Sequence, residues 1–369
     1  MSAPGSRARR LAAILALSVA AAACASPVAA GRTRPVKAFW GPTQVNGASQ
    51  FPIYHDLGVS IFQTGLVWAE VAPTRPANPR NPDDPAYRWP ADVAYAINQA
   101  GSQHMRVLLM LSYSPRWANG GQSREWAPTN PKDYADFAYA ASKRYPSVHL
   151  WMVWGEPNNP ANFQPMSPSQ PGHLTNAQAA APKRYARLLD AAYGALKGRS
   201  KHNLVIGGNT FTAGDIKPAD WVKNMRLPNG KPPRLDLYGH NPFCNRKPDL
   251  KNPPSPGGLQ DFSDLGRFGK VVDQRFGGSR HRHVPLFLSE FTLVTAPNDS
   301  EFNFYVLPKT QASWITSGFK VARSVGAYAF GWIHLYDDAP RSNGAPVSHG
   351  GLLDYQGTKK PGYAAFKKG

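Results

Sequence analysis

Cysteine is almost absent: Cys24 and Cys244 are the only two in 369 residues. That excludes a disulfide framework and any cysteine-built metal site. A lone Cys244 reads as a small buried apolar residue. Acidic residues are scarce beside basic ones, 23 against 42, for a formal charge of +19. A balance of that sign favours anionic partners, whether acidic polysaccharide, envelope polymer, nucleic acid or membrane surface, or else it only solvates the surface. No phosphate-binding G-x-x-x-x-G-K-[ST] loop and no dinucleotide fingerprint is present, and no cofactor is expected. No nucleic-acid motif accompanies the basic charge, so no specific nucleic acid is expected either. His281-Arg-His283 falls between a helix and the next strand, away from any site, and no metal is expected. Beyond residue 30 no apolar run is long enough to cross a bilayer.

What is present begins with an export signal over residues 1–30. Arg7, Arg9 and Arg10 form its basic region, and Leu11 to Ala23 is an apolar stretch too short to span a membrane comfortably. Three processing readings stand open. Ala23-Cys24-Ala25 and Val28-Ala29-Ala30 both fit a signal-peptidase site, while Ala21-Ala22-Ala23-Cys24 resembles a lipoprotein box with Ala where Leu is usual. The expectation is a secreted or extracytoplasmic protein whose membrane contact, if any, is through lipid on Cys24.

The remainder, with 42% hydrophobic and 11% aromatic residues in the whole chain, can bury a large core. Strand-like and helix-like segments alternate without a break. Strands are expected at Val36–Gly41, Val59–Leu66, Arg106–Ser112, Val148–Trp154, Leu204–Gly208, Leu235–His240, Leu286–Ser289 and Ala327–Ile333. Helical patterns lie between them, as at Pro90–Ala100, Lys132–Arg144, Pro182–Lys197, Phe262–Phe276 and Lys309–Val325. Eight such units predict an α/β fold, a single (β/α)8 barrel over residues 36–369. Helix-to-strand connections are mostly short. Strand-to-helix connections are long and rich in Pro, Asn and Ser, as expected of an active face at the carboxyl ends of the strands.

Two glutamates share one setting. Glu156 ends the apolar run Leu150-Trp-Met-Val-Trp-Gly-Glu and is followed by Pro157. Glu290 ends Val284-Pro-Leu-Phe-Leu-Ser-Glu. Cleavage of a glycosidic bond needs one carboxyl to protonate the leaving oxygen and another to attack the anomeric carbon or activate water. Glu156, among Trp151, Val153, Trp154 and Pro157, suits the acid, because desolvation raises a carboxyl pKa. Glu290 suits the nucleophile, held ionised by nearby donors. Trp68, Trp117 and Trp332 are candidate platforms for a pyranose face. Asn158 and Asn209 at strand ends are candidate hydroxyl binders, and His240 could bond a sugar hydroxyl or Glu290.

Trp-Gly-Glu-Pro-Asn on the fourth strand and Leu-Ser-Glu-Phe on the seventh resemble the clan A glycoside hydrolases, and family 39 in particular. Gly58-Val59, Trp68-Ala-Glu-Val-Ala-Pro73, Ser114-Pro-Arg-Trp-Ala118 and Tyr238-Gly-His-Asn-Pro242 are similar to further segments of that family. The resemblance spans about Val36 to Phe366. It implies a retaining barrel glycosidase with Glu156 as acid/base and Glu290 as nucleophile, a carbohydrate substrate, a Tyr238/His240 site, and Trp332 as sugar platform followed by a cis bond to Ile333. Two positions depart from it. The family's asparagine before the acid/base, which binds the sugar 2-hydroxyl, is Gly155 here. Its arginine on the second strand, which supports the nucleophile, is Gln63. The alternative to an enzyme is therefore a carbohydrate-binding barrel that has lost turnover. A third reading is a lipid-anchored envelope protein with a structural role.

Overall fold

The computed structural model describes residues 34–167, 172–280 and 282–369. The expected export signal and Cys24 lie outside the described residues. The first barrel strand, β1 (Val36–Trp40), is followed by a small hairpin, β2 (Gln44–Val45) with β3 (Ala48–Ser49), and helix α1 (Phe51–Asp56). Next come β4 (Ile61–Val67), α2 (Trp68–Val71), α3 (Ala91–Ser102), β5 (Arg106–Ser112), α4 (Pro131–Arg144), β6 (Leu150–Val153) and α5 (Ala180–Arg199). The second half holds β7 (Leu204–Phe211), α6 (Pro218–Asn224), β8 (Leu237–Asn241), α7 (Leu265–Phe276), β9 (Leu286–Leu288), α8 (Pro308–Ser324), β10 (Ala329–Ile333) and α9 (Pro361–Lys368). The strands close as a parallel barrel in the order β1-β10-β9-β8-β7-β6-β5-β4, with β1 in register against both β10 and β4. The single (β/α)8 barrel read from the alternation is the fold observed.

The barrel follows from strand periodicity. Side chains alternate faces along a strand, so Ala38, Ile61, Leu108, Leu150, Met152, Ile206, Leu237, Phe287 and Ala329 fill the interior. Their neighbours, such as Leu109, Trp151, Val205, Leu286 and Phe330, face outward into the larger cluster beneath the helices. The helices begin where the sequence supplies start signals. Asn130 accepts the Lys132 backbone N–H at 3.0 Å ahead of Pro131, and Lys143 and Arg144 sit in the last turn of α4.

Two local features went beyond the sequence expectation. The β2–β3 hairpin turns on Asn46 and Gly47, both at positive φ, the pair a tight two-residue turn demands. Strand β7 continues past Gly208 to Phe211 through a bulge, with a register shift between Gly208 and Thr210. That bulge sets Asn209 at φ 45°.

Candidate active site

The carboxyl-terminal face of the barrel carries most of the backbone strain. Of the non-glycine residues at positive φ, Tyr113 follows β5, Trp154 and Glu156 follow β6, Asn209 sits in the β7 bulge, and His334 follows β10. Left-handed conformations in bulky residues such as Trp154 persist only where the surroundings hold them, and they gather at working sites. Glu156 is held by its own backbone, whose N–H donates to the Asn209 carbonyl at 3.0 Å. Its carboxylate accepts from Asn241 Nδ2 at 2.9 Å on one oxygen and from Asn162 Nδ2 at 3.3 Å on the other. Tyr113 donates to Asn162 Oδ1 at 3.3 Å, and the Arg124 guanidinium lies 4.7 Å over the Tyr113 ring.

Glu290 emerges one residue beyond Ser289, which is clamped from two other strands. The Gln63 amide donates to the Ser289 carbonyl at 2.9 Å and accepts from its hydroxyl at 2.9 Å. The Trp40 indole N–H donates to the same hydroxyl at 3.2 Å. Gly331 on the adjacent strand makes this possible, because a Cβ there would collide with the Ser289 carbonyl. Gln63 thus supports the Glu290 segment with neutral hydrogen bonds and places no cation beside the carboxylate.

Both carboxyls are pushed above the ordinary glutamate range. For Glu156 the cause is burial, opposed by the Asn241 hydrogen bond. For Glu290 the causes are burial, the charge of Glu156 and the charge of Glu301, opposed by Asn241. The expectation that Glu290 is held ionised is therefore corrected: one amide shared with Glu156 does not offset burial beside a second carboxylate. The two groups titrate as one system. Such a pair can hold one proton and hand it between an acid role and a base role.

The structure brings some of the sequence candidates to this pair and not others. Asn209 is adjacent to Glu156 and fully buried, and neither polar atom of its amide has a protein partner. Asn158 is spent within the scaffold. Its amide donates to the Phe211 and Ile216 carbonyls at 2.9 and 3.0 Å and accepts the Phe211 N–H at 2.8 Å. His240 and Tyr238 face outward from β8. The His240 ring contacts Thr210 Oγ1 at 2.9 Å and the Gln260 carbonyl at 2.8 Å and packs on Phe268; burial pushes its pKa down to about 4. Tyr238 packs on Phe268 and Phe276. Neither reaches the glutamates, so the expected His/Tyr site is corrected to core packing.

The tryptophans are corrected likewise. Trp332 is fully buried against Phe291 and Phe366, with its N–H on the His334 carbonyl at 3.1 Å. Its bond to Ile333 is trans, since Gln164–Pro165 is the one cis peptide among the described residues. Trp68 is buried between Trp117, Tyr134 and Phe137. Trp117 is part-exposed, but its N–H is held by the Ala72 carbonyl at 2.8 Å and its face is covered by Arg75 at 4.4 Å.

Asn241, Asn162 and Trp40 went unnoticed in the sequence. A period-two reading of β8 would have found the first, because Leu237, Gly239 and Asn241 share the inner face. Gly155 gains a physical account. A Cβ at this position would stand 2.8 Å from Met110 Sδ, so the Met110 thioether fills the space an asparagine side chain would need.

No protein-family model matches the sequence, and no curated protein matches it. Solved structures do match. A family 39 glycoside hydrolase from the gut symbiont Bacteroides cellulosilyticus WH2 aligns over 91% of this chain and 64% of its own, at TM-score 0.63 and 16% identity. The barrel is built like those of the family 39 glycoside hydrolases. A glucosidase from Croceicoccus marinus aligns over 90% of this chain and 66% of its own, at TM-score 0.62 and 13% identity. A monomeric beta-xylosidase from Caulobacter crescentus CB15 aligns over 91% and 67%, at TM-score 0.59 and 16% identity. The chain thus spans about two thirds of the length of these three structures.

Proposed function

We propose that the chain is a retaining glycoside hydrolase that cleaves an O-glycosidic bond outside the cytoplasm. In the state where the one proton of the pair sits on Glu156, the Glu290 carboxylate attacks the anomeric carbon while Glu156 delivers that proton to the leaving oxygen, giving a glycosyl ester on Glu290. Glu156, now a carboxylate, removes a proton from water as the water displaces that ester, and both carboxyls return to their starting states. The observation that carries this reading is the Asn241 amide between two glutamates from different strands, whose charges act on one another. The unpartnered Asn209 amide supports it, since burying such a group costs about 1–3 kcal/mol unless a ligand bonds it. Asn209 and Asn241 are therefore the proposed contacts to the sugar beside the scissile bond. The basic, apolar leader ahead of the barrel supports action beyond the membrane.

The test is covalent capture. Incubation with activated 2-fluoro glycosides and cyclophellitol-type probes of several sugar configurations, followed by peptide mass spectrometry, should place one glycosyl group on Glu290. Failure of every configuration to label it would sink double displacement. It would favour the second reading, a binding barrel without turnover, for which Gln63 in place of a cation speaks. Mass spectrometry of the mature amino terminus decides whether Cys24 carries lipid.

A further inference from the structure

A trough of about 840 Å³ runs over the carboxyl ends of β10 and β1. Its inner end is Trp40, whose indole N–H holds the Ser289 hydroxyl next to Glu290. His334 also lines it and bonds Glu301, the outer carboxylate whose charge reaches Glu290, at 2.8 Å. The inner end of the trough therefore lies one side chain from the Glu290 segment. Further out lie Tyr336, whose hydroxyl donates to Gln50 Oε1 at 2.7 Å, and Tyr355, which is 51% exposed. In barrel order Glu290 leaves β9, between this trough and a hollow of about 280 Å³ over the ends of β7, β8 and β9 that includes Phe211, Phe243 and Phe302. Hollows thus lie over the strand ends on either side of β9 in the barrel order.

We propose that the trough holds several residues of an uncharged glycan, so that the enzyme cuts within a chain and not at its end. This rests on the glycosidase reading above and names the substrate class for it. Size is the first argument. At about 840 Å³ the trough lies toward the upper end of the roughly 300–1,000 Å³ of pockets that bury a whole drug-sized ligand, which is more room than one terminal sugar needs. Chemistry is the second. The exposed ring of Tyr355 and the part-buried rings of Tyr336 and Trp40, beside amide and carboxylate oxygens, match the apolar faces and hydroxyl edges of sugars. Charge is the third. The lining has no lysine or arginine, and it carries Asp337 and Asp338. Asp337 is already paired with Lys360 at 2.8 Å, while Asp338 is exposed. A uronic acid or phosphate on the glycan would meet these carboxylates, despite the +19 charge of the whole chain. The basic surface and the binding trough thus point to different partners, and the trough decides what is cut.

Affinity electrophoresis tests this at raised salt, so that bulk charge is screened. The gels contain mixed-linkage β-glucan, xylan, galactomannan, polygalacturonate or alginate. At least one neutral glycan should retard the protein, and Tyr355→Ala should weaken that binding about fivefold to tenfold, the loss of one stacking ring. The same variant should be labelled at Glu290 by a monosaccharide cyclophellitol-type probe at an unchanged rate. The retarding polymer should lose chain length before free monosaccharide appears. No retardation by any neutral glycan, equal retardation of Tyr355→Ala, preference for the acidic polymers, or monosaccharide as the first product would each overturn the proposal. Absence of Glu290 labelling in both proteins would count against the glycosidase reading, while the retardation would still decide the trough.

Discussion

Replacing Glu290 with glutamine should make the protein more stable in alkali and leave its stability in acid nearly unchanged. The reasoning starts from burial and the Glu156 charge, which raise the Glu290 carboxyl above its unfolded value. A carboxyl raised on folding favours the folded state only while protonated. Its contribution is complete below the ordinary glutamate range and is lost as pH climbs through the raised folded value. Wild-type stability should therefore decline across that window, and Glu290→Gln, which cannot ionise, should escape the decline. At the roughly 5.5 Å spacing of retaining pairs and an effective dielectric of about 20, two carboxylates repel by about 3 kcal/mol. Partial solvent access lowers the expected gain to about 1–3 kcal/mol. Urea unfolding of wild type, Glu290→Gln, Glu156→Gln and the double variant at about pH 4 and about pH 9 measures it. Each single change already removes the mutual repulsion, so the double variant should gain less than the sum. Equal effects at the two pH values, or strict additivity in alkali, would refute the coupled pair.

Three other outcomes are expected. Glu156→Gln should slow glycosides with poor leaving groups by about 10²–10⁴ while sparing activated aryl glycosides, checked by steady-state kinetics on a leaving-group series. Trp332→Ala should cost about 3–5 kcal/mol of stability by thermal or urea unfolding, because the indole is core, and should leave sugar affinity per folded molecule unchanged. Gly155→Asn should cost about 1–3 kcal/mol by overpacking against Met110, and Met110→Ala in the same chain should restore much of it in the same unfolding assay.

The barrel was legible because strict strand–helix alternation with short return connections leaves few other topologies. The two glutamates were legible because a carboxylate directly after an apolar run is costly without a purpose. The residues around them were not, and the cause is physical. A strand buried on both faces is apolar on both faces, so its inner and outer sides look alike in sequence. Tyr238, His240 and Trp332 carry chemistry that suits a sugar site, yet each lies on the outward parity of its strand. Asn241, one residue past His240, is on the inward parity. Asn158 was lost to the turn it braces, and Asn209 reaches Glu156 because a bulge re-aims the end of β7. The Asn46-Gly47 turn carried a readable hairpin signal, but its two-residue strands are too short to show alternation.

The pairing of β1 with β10 is the longest-range closure in the barrel. Val36 opposite Ala329 joins residues roughly three hundred positions apart, the kind of contact that closes late and slowly. Helix α9 completes the seam. Phe366 packs on Phe39 and Phe330, Lys37 Nζ donates to the Lys367 carbonyl at 2.7 Å, and Tyr363 donates to Asp56 at 2.6 Å. A growing or threading chain that has delivered seven strands still has two open sheet edges, at β1 and β9. The cylinder is sealed only when the last strand and the helix behind it arrive.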